Sequence, residues 1–188
     1  MQLKAEISEE ELASQCKQGE RYARQILYER YGGILMAICL RYIGNNEEAE
    51  DVLHDGFLHI FQAITQFTYK GEGSLKAWLS RVMVNEALGY LRKRAGQIQQ
   101  EVTLNEIPDM PDSDEENVAE IPKNVLMDMI KSLPDGYRTV FNLYVFEEKS
   151  HKEIASLLGI TEHTSSSQFY RAKSLLVKKI NDYKKKLQ

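Results

Sequence analysis

The chain is poor in the residues that announce most catalytic and metal chemistries. It has only two cysteines in 188 residues, Cys16 and Cys39, far apart and without CxxC or Cys/His spacing, so neither a disulfide framework nor a zinc site is supported. Cys39 stands between Ile38 and Leu40 and is expected to be a small core residue. The four histidines, His54, His59, His151 and His163, are scattered. His54 and His59 are five apart and fall on different sides of a helix, unlike the metal pair of HExxH. No GxGxxG or Walker loop is present; Gly71 and Gly73 bracket one glutamate and lead into a helix without GK[ST]. Ser165, Ser166 and Ser167 have no base and orienting acid nearby in sequence, and their blander reading is a run of small polar residues on an exposed helix face. No catalytic residue, metal or cofactor is therefore expected. No apolar run approaches the roughly 20 residues that a membrane span needs. The N-terminus, MQLKAEISEEEL, is acidic rather than basic-then-apolar, so no signal peptide is expected and the chain is placed in the cytoplasm. Four prolines and eleven glycines leave little room for long disorder.

What is present is helical periodicity. Residues 9–42 are expected to form one helix, with Ile26, Leu27, Ile34, Leu35, Ile38, Cys39 and Tyr42 on a broad apolar face. Gly44 and Asn45 break it, and Asn46 is a good cap for the next helix. Over 47–66, Val52, Leu53, Phe57, Ile60, Phe61 and Ile64 fall on one stripe, while Glu50, Asp51, His54 and Asp55 lie opposite. Gly56 in mid-helix costs about 1 kcal/mol against alanine, unless something packs close there. A glycine-bearing loop, 68–73, precedes a third long helix, 74–94, in which Leu75, Trp78, Leu79, Val82, Leu88 and Leu91 can face inward. From Pro122, which suits the first turn of a helix, Val125, Leu126, Met129, Ile130 and Leu133 carry another. Pro134-Asp135-Gly136 is expected as a turn, and Val140, Phe141, Leu143, Tyr144 and Phe146 as the helix after it. No repeat and no useful strand-like alternation is visible.

The segment 150–173 has a helix, a turn and a second helix with a basic tail. Ile154, Ala155, Leu157 and Leu158 make one apolar face, Gly159 ends the first helix, and Thr161 can cap the second. That is the helix-turn-helix pattern, whose second helix lies in a DNA major groove.

Charge is segregated, although the net is only −4. Between Ala95 and Pro122 there are eight acidic residues and no lysine or arginine. With Pro108 and Pro111 this stretch is expected to be a flexible acidic linker that cannot bury enough apolar surface to fold alone. By contrast, Lys76–Arg94 holds five basic residues against one acid, and His163–Lys186 seven against one. Lysines and arginines that meet phosphates release counterions and supply salt-dependent affinity. The C-terminal lysines also suit a simple solvated helix end. The block that carries Tyr69, Lys70, Arg81 and Asn85 adds aromatic and amide groups, which can stack an unpaired base and hold its strand.

With both halves read, the chain resembles a sigma factor of the sigma-70 family, of the two-domain extracytoplasmic-function (ECF) type. Three stretches carry the resemblance. AEDVLHDGFLHIF (49–61) is similar to the region 2.2 helix, usually EDxxQExF; LKAWLSRVMVNEALGYLRKR (75–94) is similar to the helix that ends region 2; and LPDGYRTVFNLYVFEEKSHKEIASLLGI (133–160) is similar to region 4. The resemblance implies an all-α architecture of two small helical domains: region 2 over 1–95, an acidic linker over 96–121 and region 4 over 122–188. It implies that Asp51, His54, Asp55 and Phe57 dock on the β′ clamp helices of core RNA polymerase, with His54 and Asp55 where glutamine and glutamate are common. Loop 67–74, with Tyr69 and Lys70, and Asn85 would capture a flipped −10 base, at an unstacking cost of a few kcal/mol that the pocket must offset. Lys76, Arg81, Arg92 and Lys93 would hold phosphates. On the recognition helix, His163, Thr164, Ser166, Ser167, Tyr170, Arg171 and Lys173 would serve the −35 element. The implied partners are core RNA polymerase (β′ clamp helices and β flap) and promoter DNA. ECF factors are often held by an anti-sigma factor as well, though no residue here shows one. Family members often carry lysine or arginine where this chain has Ser166. Without a bidentate guanine reader there, specificity leans on Arg171, hydroxyl contacts and DNA shape.

Two other readings use the same residues. A stand-alone helix-turn-helix regulator would leave the first domain and its polar face at 51–55 without a task. An interaction protein would turn the basic surfaces toward an acidic protein instead of DNA.

Overall fold

The computed structural model describes residues 7–98 and 121–186. Most of the expected acidic linker lies outside the described residues. The chain divides into two compact units, Met1–Lys93 and Arg94–Gln188. Every element among the described residues is helical.

The first unit contains α1 (Glu9–Lys17), α2 (Arg21–Ile43), α3 (Asn46–Ala63), a single 3-10 turn (Ile64–Gln66) and all but the last turn of α4 (Ser74–Ile98). The helix expected over 9–42 is in fact two. Gly19 adopts φ 83°, its N–H donates to the Cys16 carbonyl at 3.1 Å and the Glu20 N–H donates to the Gln15 carbonyl at 3.1 Å. This paired closure needs a left-handed residue, which glycine takes without steric cost. At the next boundary the cap is Asn45 and not Asn46: the Asn45 side chain accepts the Glu48 N–H at 3.1 Å.

The core of this unit joins Leu12, Leu27, Leu35 and Tyr42 to Val52, Phe57 and Ile60 of α3 and to Leu75, Leu79, Met83 and Leu88 of α4. Ile34, expected inside, is 40% exposed. Gly56 is buried because Met83 packs on it. A Cβ added there would stand 2.5 Å from Met83 Cε and 2.6 Å from its Sδ. Burial pushes the thiols up, Cys16 to about 11 and Cys39 to about 12, so both stay protonated and behave as small apolar residues.

The second unit contains α5 (Lys123–Lys131), α6 (Asp135–Val145), α7 (His151–Leu158) and α8 (Glu162–Lys185). Pro134 immediately precedes α6 as its cap residue, so the expected turn is a helix start; proline has no N–H to satisfy there. Ile130, Leu133, Ala172 and Leu176 form a core with Leu126, Met129, Tyr137 and Phe141 packed around it. Arg138 is buried within this core region. Its guanidinium donates to the Lys131 and Leu133 carbonyls at 2.8 and 2.6 Å and to Asp135 Oδ1 at 2.6 Å, which satisfies the carbonyls at the end of α5. Tyr144 lies in α6 as expected and Phe146 caps its end; each is 41% exposed.

Candidate nucleic-acid interface

Beside the first turn of α4 is a cavity of about 400 Å³ lined by Gln66, Phe67, Thr68, Lys70, Ser74, Ala77, Trp78 and Arg81. The Phe67 and Trp78 rings lie 5.3 Å apart, tilted by 47°, and make its aromatic wall. The loop that shapes it is held by short-range bonds. Ser74 Oγ donates to the Gly71 carbonyl at 2.6 Å and accepts the Lys70 N–H at 3.1 Å. Trp78, Arg81, Asn85 and Arg92 then recur at helical spacing along one face of α4, and Arg81, Asn85 and Arg92 are exposed. A flat π-face, neutral hydrogen-bonding groups at Gln66 and Thr68, and two cations at the rim suit an unstacked base and its phosphates.

Of the residues expected to meet the −10 strand, the structure places Lys70 and Arg81 in the lining of this cavity, with Asn85 and Arg92 farther along the same face of α4. Lys76 and Lys93 are exposed on other sides of α4. Tyr69 is not part of the lining. Partial burial, with the carboxylates of Glu10, Glu9 and Glu72, holds its phenol above the usual value, so it remains a neutral hydroxyl. The aromatic side chains that do line the cavity are Phe67 and Trp78. Trp78, expected to face inward, is half-buried with its ring against Phe67 and one side open to the cavity.

Asp51, His54 and Asp55 all stand on the exposed face of α3. His54 Nδ1 is 2.9 Å from the Glu50 carbonyl, which can only accept, so this nitrogen donates to the helix backbone. Phe57 does not share that face. It is 4% exposed and packs its ring 4.6 Å from Tyr28 and 5.9 Å from Phe61. The apolar side chain that does share the face is Leu58, 61% exposed and one turn beyond His54 and Asp55.

In the second unit, α7 and α8 form the helix-turn-helix. Ser150 caps α7 in a reciprocal box: its hydroxyl accepts the Glu153 N–H at 3.3 Å, and the Glu153 carboxylate accepts the Ser150 N–H at 2.8 Å and hydroxyl at 2.7 Å. These bonds, the side-chain one first, hold the Glu153 carboxyl below the usual range. Gly159 ends α7 in the left-handed region, and Thr161 caps α8 by accepting the Thr164 N–H at 3.0 Å. Ser165 is buried and shares a 3.0 Å hydrogen bond with His151, whose ring stacks 4.8 Å from Tyr144. This fixes the angle between the two helices.

His163, Ser166, Tyr170 and Lys173 are exposed along α8, and Ser167 is half-buried beside them. Thr164 is tied into the cap, with its hydroxyl 2.8 Å from that of Thr161. Arg171 is half-buried and its guanidinium donates to the Tyr137 hydroxyl at 3.3 Å, so part of its hydrogen-bonding capacity is spent on α6. Among the described residues, no group of three or more His, Cys, Asp or Glu side chains is arranged to hold a metal ion, and no helix is long and apolar enough to cross a membrane.

Comparison with known proteins matches both units. The model of sigma-70 region 2 covers residues 27–97, and that of sigma-70 region 4 covers residues 123–176. The chain is 25% identical over 185 residues to an ECF RNA polymerase sigma-E factor of Haemophilus influenzae, covering 93% of this chain and 96% of that protein. It is 28% identical over 178 residues to the ECF RNA polymerase sigma factor SigW of Bacillus subtilis, covering 89% and 94%. Among solved structures it is similar to the sigma factor RpoE of Bartonella quintana, crystallised with the anti-sigma factor NepR, at 19% identity and a TM-score of 0.48 over 84% of this chain and 96% of that one.

Proposed function

The chain belongs to the sigma-70 family of RNA polymerase sigma factors, in its ECF type, and on that premise we propose how its two units divide the work of transcription initiation. The protein joins core RNA polymerase in the cytoplasm and directs it to promoters, acting by binding rather than by catalysis. The first unit docks on the β′ clamp helices through Asp51, His54 and Asp55, with Leu58 as the apolar centre of the contact. Its cavity takes a base flipped out of the −10 element, stacked on Trp78, whose ring Phe67 supports from the core. Lys70, Arg81 and Arg92 hold the strand's phosphates, while Asn85 reaches toward the bases. The second unit places α8 in the major groove of the −35 element. There His163, Ser166, Ser167 and Tyr170 face the bases, Lys173 takes a phosphate, and Arg171 steadies the helix against α6. The acidic segment 99–120 connects the two, and an anti-sigma factor is the natural antagonist of surfaces of this kind.

The observation that carries this reading is the aromatic-walled cavity beside a basic helix face in the first unit. A stand-alone duplex-binding regulator has no use for a pocket of that size and lining. Run-off transcription on fragmented genomic DNA, with core polymerase from the same organism, tests it. Discrete transcripts that depend on the chain are expected. Core binding without new transcripts would point to an inhibitor, and loss of core binding as well would return the duplex-only reading.

A further inference from the structure

Glu9, the first residue of α1, reaches the loop that opens α4 from 64 positions away. Its Oε2 accepts the Gly73 N–H at 2.8 Å and the Leu75 N–H at 3.3 Å, and its Oε1 accepts the Tyr31 hydroxyl at 2.8 Å. The N–H groups at a helix start have no acceptor within the helix, and the dipole there favours a carboxylate. So a side chain from α1 supplies what a neighbouring serine or aspartate supplies at an ordinary cap. Three donors from two elements fix the carboxylate. Burial, with the bond to Glu9, pushes the Tyr31 phenol up to about 12, so the hydroxyl donates throughout the physiological range. The loop held in this way contributes Lys70 and Ser74 to the cavity.

We propose that Glu9 is a positioning residue for base capture: its carboxylate clamps the start of α4 so that the cavity is formed before DNA arrives. This rests on the assignment of the cavity to a flipped −10 base. A preformed pocket avoids the ordering cost that a loose loop would add to each binding event. The partners of the clamp, Tyr31, Gly73 and Leu75, belong to α2 and the start of α4 and not to α3, so its loss is local.

The test compares wild type with Glu9→Ala, Glu9→Gln and Tyr31→Phe. Holoenzyme affinity is measured by fluorescence anisotropy for a labelled single strand carrying the −10 sequence found by run-off. Core affinity and affinity for a −35 duplex serve as internal references, and amide exchange at Gly73 and Leu75 in the free chain reads the clamp without DNA. Glu9→Ala should weaken single-strand binding about five-fold, the size of a lost helix cap, and speed exchange at both amides. Glu9→Gln, which keeps an acceptor without the charge, should fall between, and Tyr31→Phe should act in the same direction by less. Core and −35 affinities should stay put. Unchanged strand binding or unchanged exchange in Glu9→Ala overturns the proposal, as does an equal loss of core affinity, which would mark general destabilisation. A wild-type holoenzyme that ignores the strand, with exchange still Glu9-dependent, would instead sink the base-capture assignment and leave the carboxylate a loop clamp only.

Discussion

Phe57 and Leu58 are neighbours with opposite tasks, and the difference is visible only in three dimensions. In sequence both belong to the segment that resembles the polymerase-docking helix. In the structure Phe57 fills the core and Leu58 is 61% exposed. Removing the Phe57 ring deletes contacts with Tyr28 and Phe61, and Phe57→Ala should cost about 3–5 kcal/mol, a large fraction of a small domain's stability. Thermal melting of the free chain checks this; any loss of core binding in that variant follows from unfolding. Leu58→Ala should melt within experimental error of wild type, since exposed substitutions stay within about 0.5 kcal/mol. Its affinity for core should nonetheless fall about ten-fold or more if it is the apolar anchor. An unchanged affinity would remove Leu58 from the interface. Arg138 makes the opposite case, a charged residue that no motif singled out. Arg138→Met keeps the apolar stem but leaves the Lys131 and Leu133 carbonyls without their donor. It should destabilise by about 1–3 kcal/mol in denaturant melts; a neutral result would mean that water replaces the guanidinium there.

At the scale of elements, periodicity located the long helices, because one buried face forces the 3.6-residue pattern. It failed where an ending depends on backbone dihedral and not on hydrophobicity. The apolar positions continue across Gly19, so the break between α1 and α2 was invisible to the pattern and visible only as a lone glycine. Pro134-Asp135-Gly136 carries turn residues, yet proline is equally at home where a helix starts. The helix-turn-helix was legible because its turn is marked by residues with one clear purpose, Gly159 and Thr161; the Ser150 cap emerged only from the structure. The Ser150–Glu153 box also gives α7 a pH dependence of known sign. The Glu153 carboxyl is lowered in the native state. Its contribution is therefore complete above the ordinary carboxylate value and fades as pH falls below it, through the lowered native value. Melts of wild type and Ser150→Ala, followed by circular dichroism, should differ most near neutrality and draw closer in acid, leaving the share that comes from the hydroxyl's bond to the Glu153 N–H. A difference that stays constant at all pH values would show that the Glu153 carboxylate adds nothing to the cap. The cavity was the least legible element. Its wall pairs Phe67 with Trp78 and its shape depends on Glu9, and contacts made between separate elements leave no periodic trace in the sequence.

For the whole molecule, charge separation bears on whether the two faces assigned to DNA hold one promoter together. With the eight acids of 101–120 set aside from the 28, the rest of the chain carries 24 basic against 20 acidic residues, so a modestly acidic protein presents basic faces in both units. Arg92 belongs to the face of α4 assigned to the opened strand and Lys173 to the face of α8 assigned to duplex. Each phosphate contact steepens the fall of log affinity with log salt, by about 0.9 on duplex and about 0.7 on single strand. Arg92→Ala and Lys173→Ala should each flatten the slope of holoenzyme binding by about that amount while weakening all promoter sequences alike. The double variant distinguishes simultaneous from alternative engagement. If both units hold the same promoter at once, the two losses add, to about 1.6 in slope. If only one unit carries the measured affinity, one single variant leaves the slope untouched and the double equals the other. A titration of holoenzyme against one promoter fragment across a range of salt therefore asks whether the acidic segment joins two halves of a single DNA-binding device.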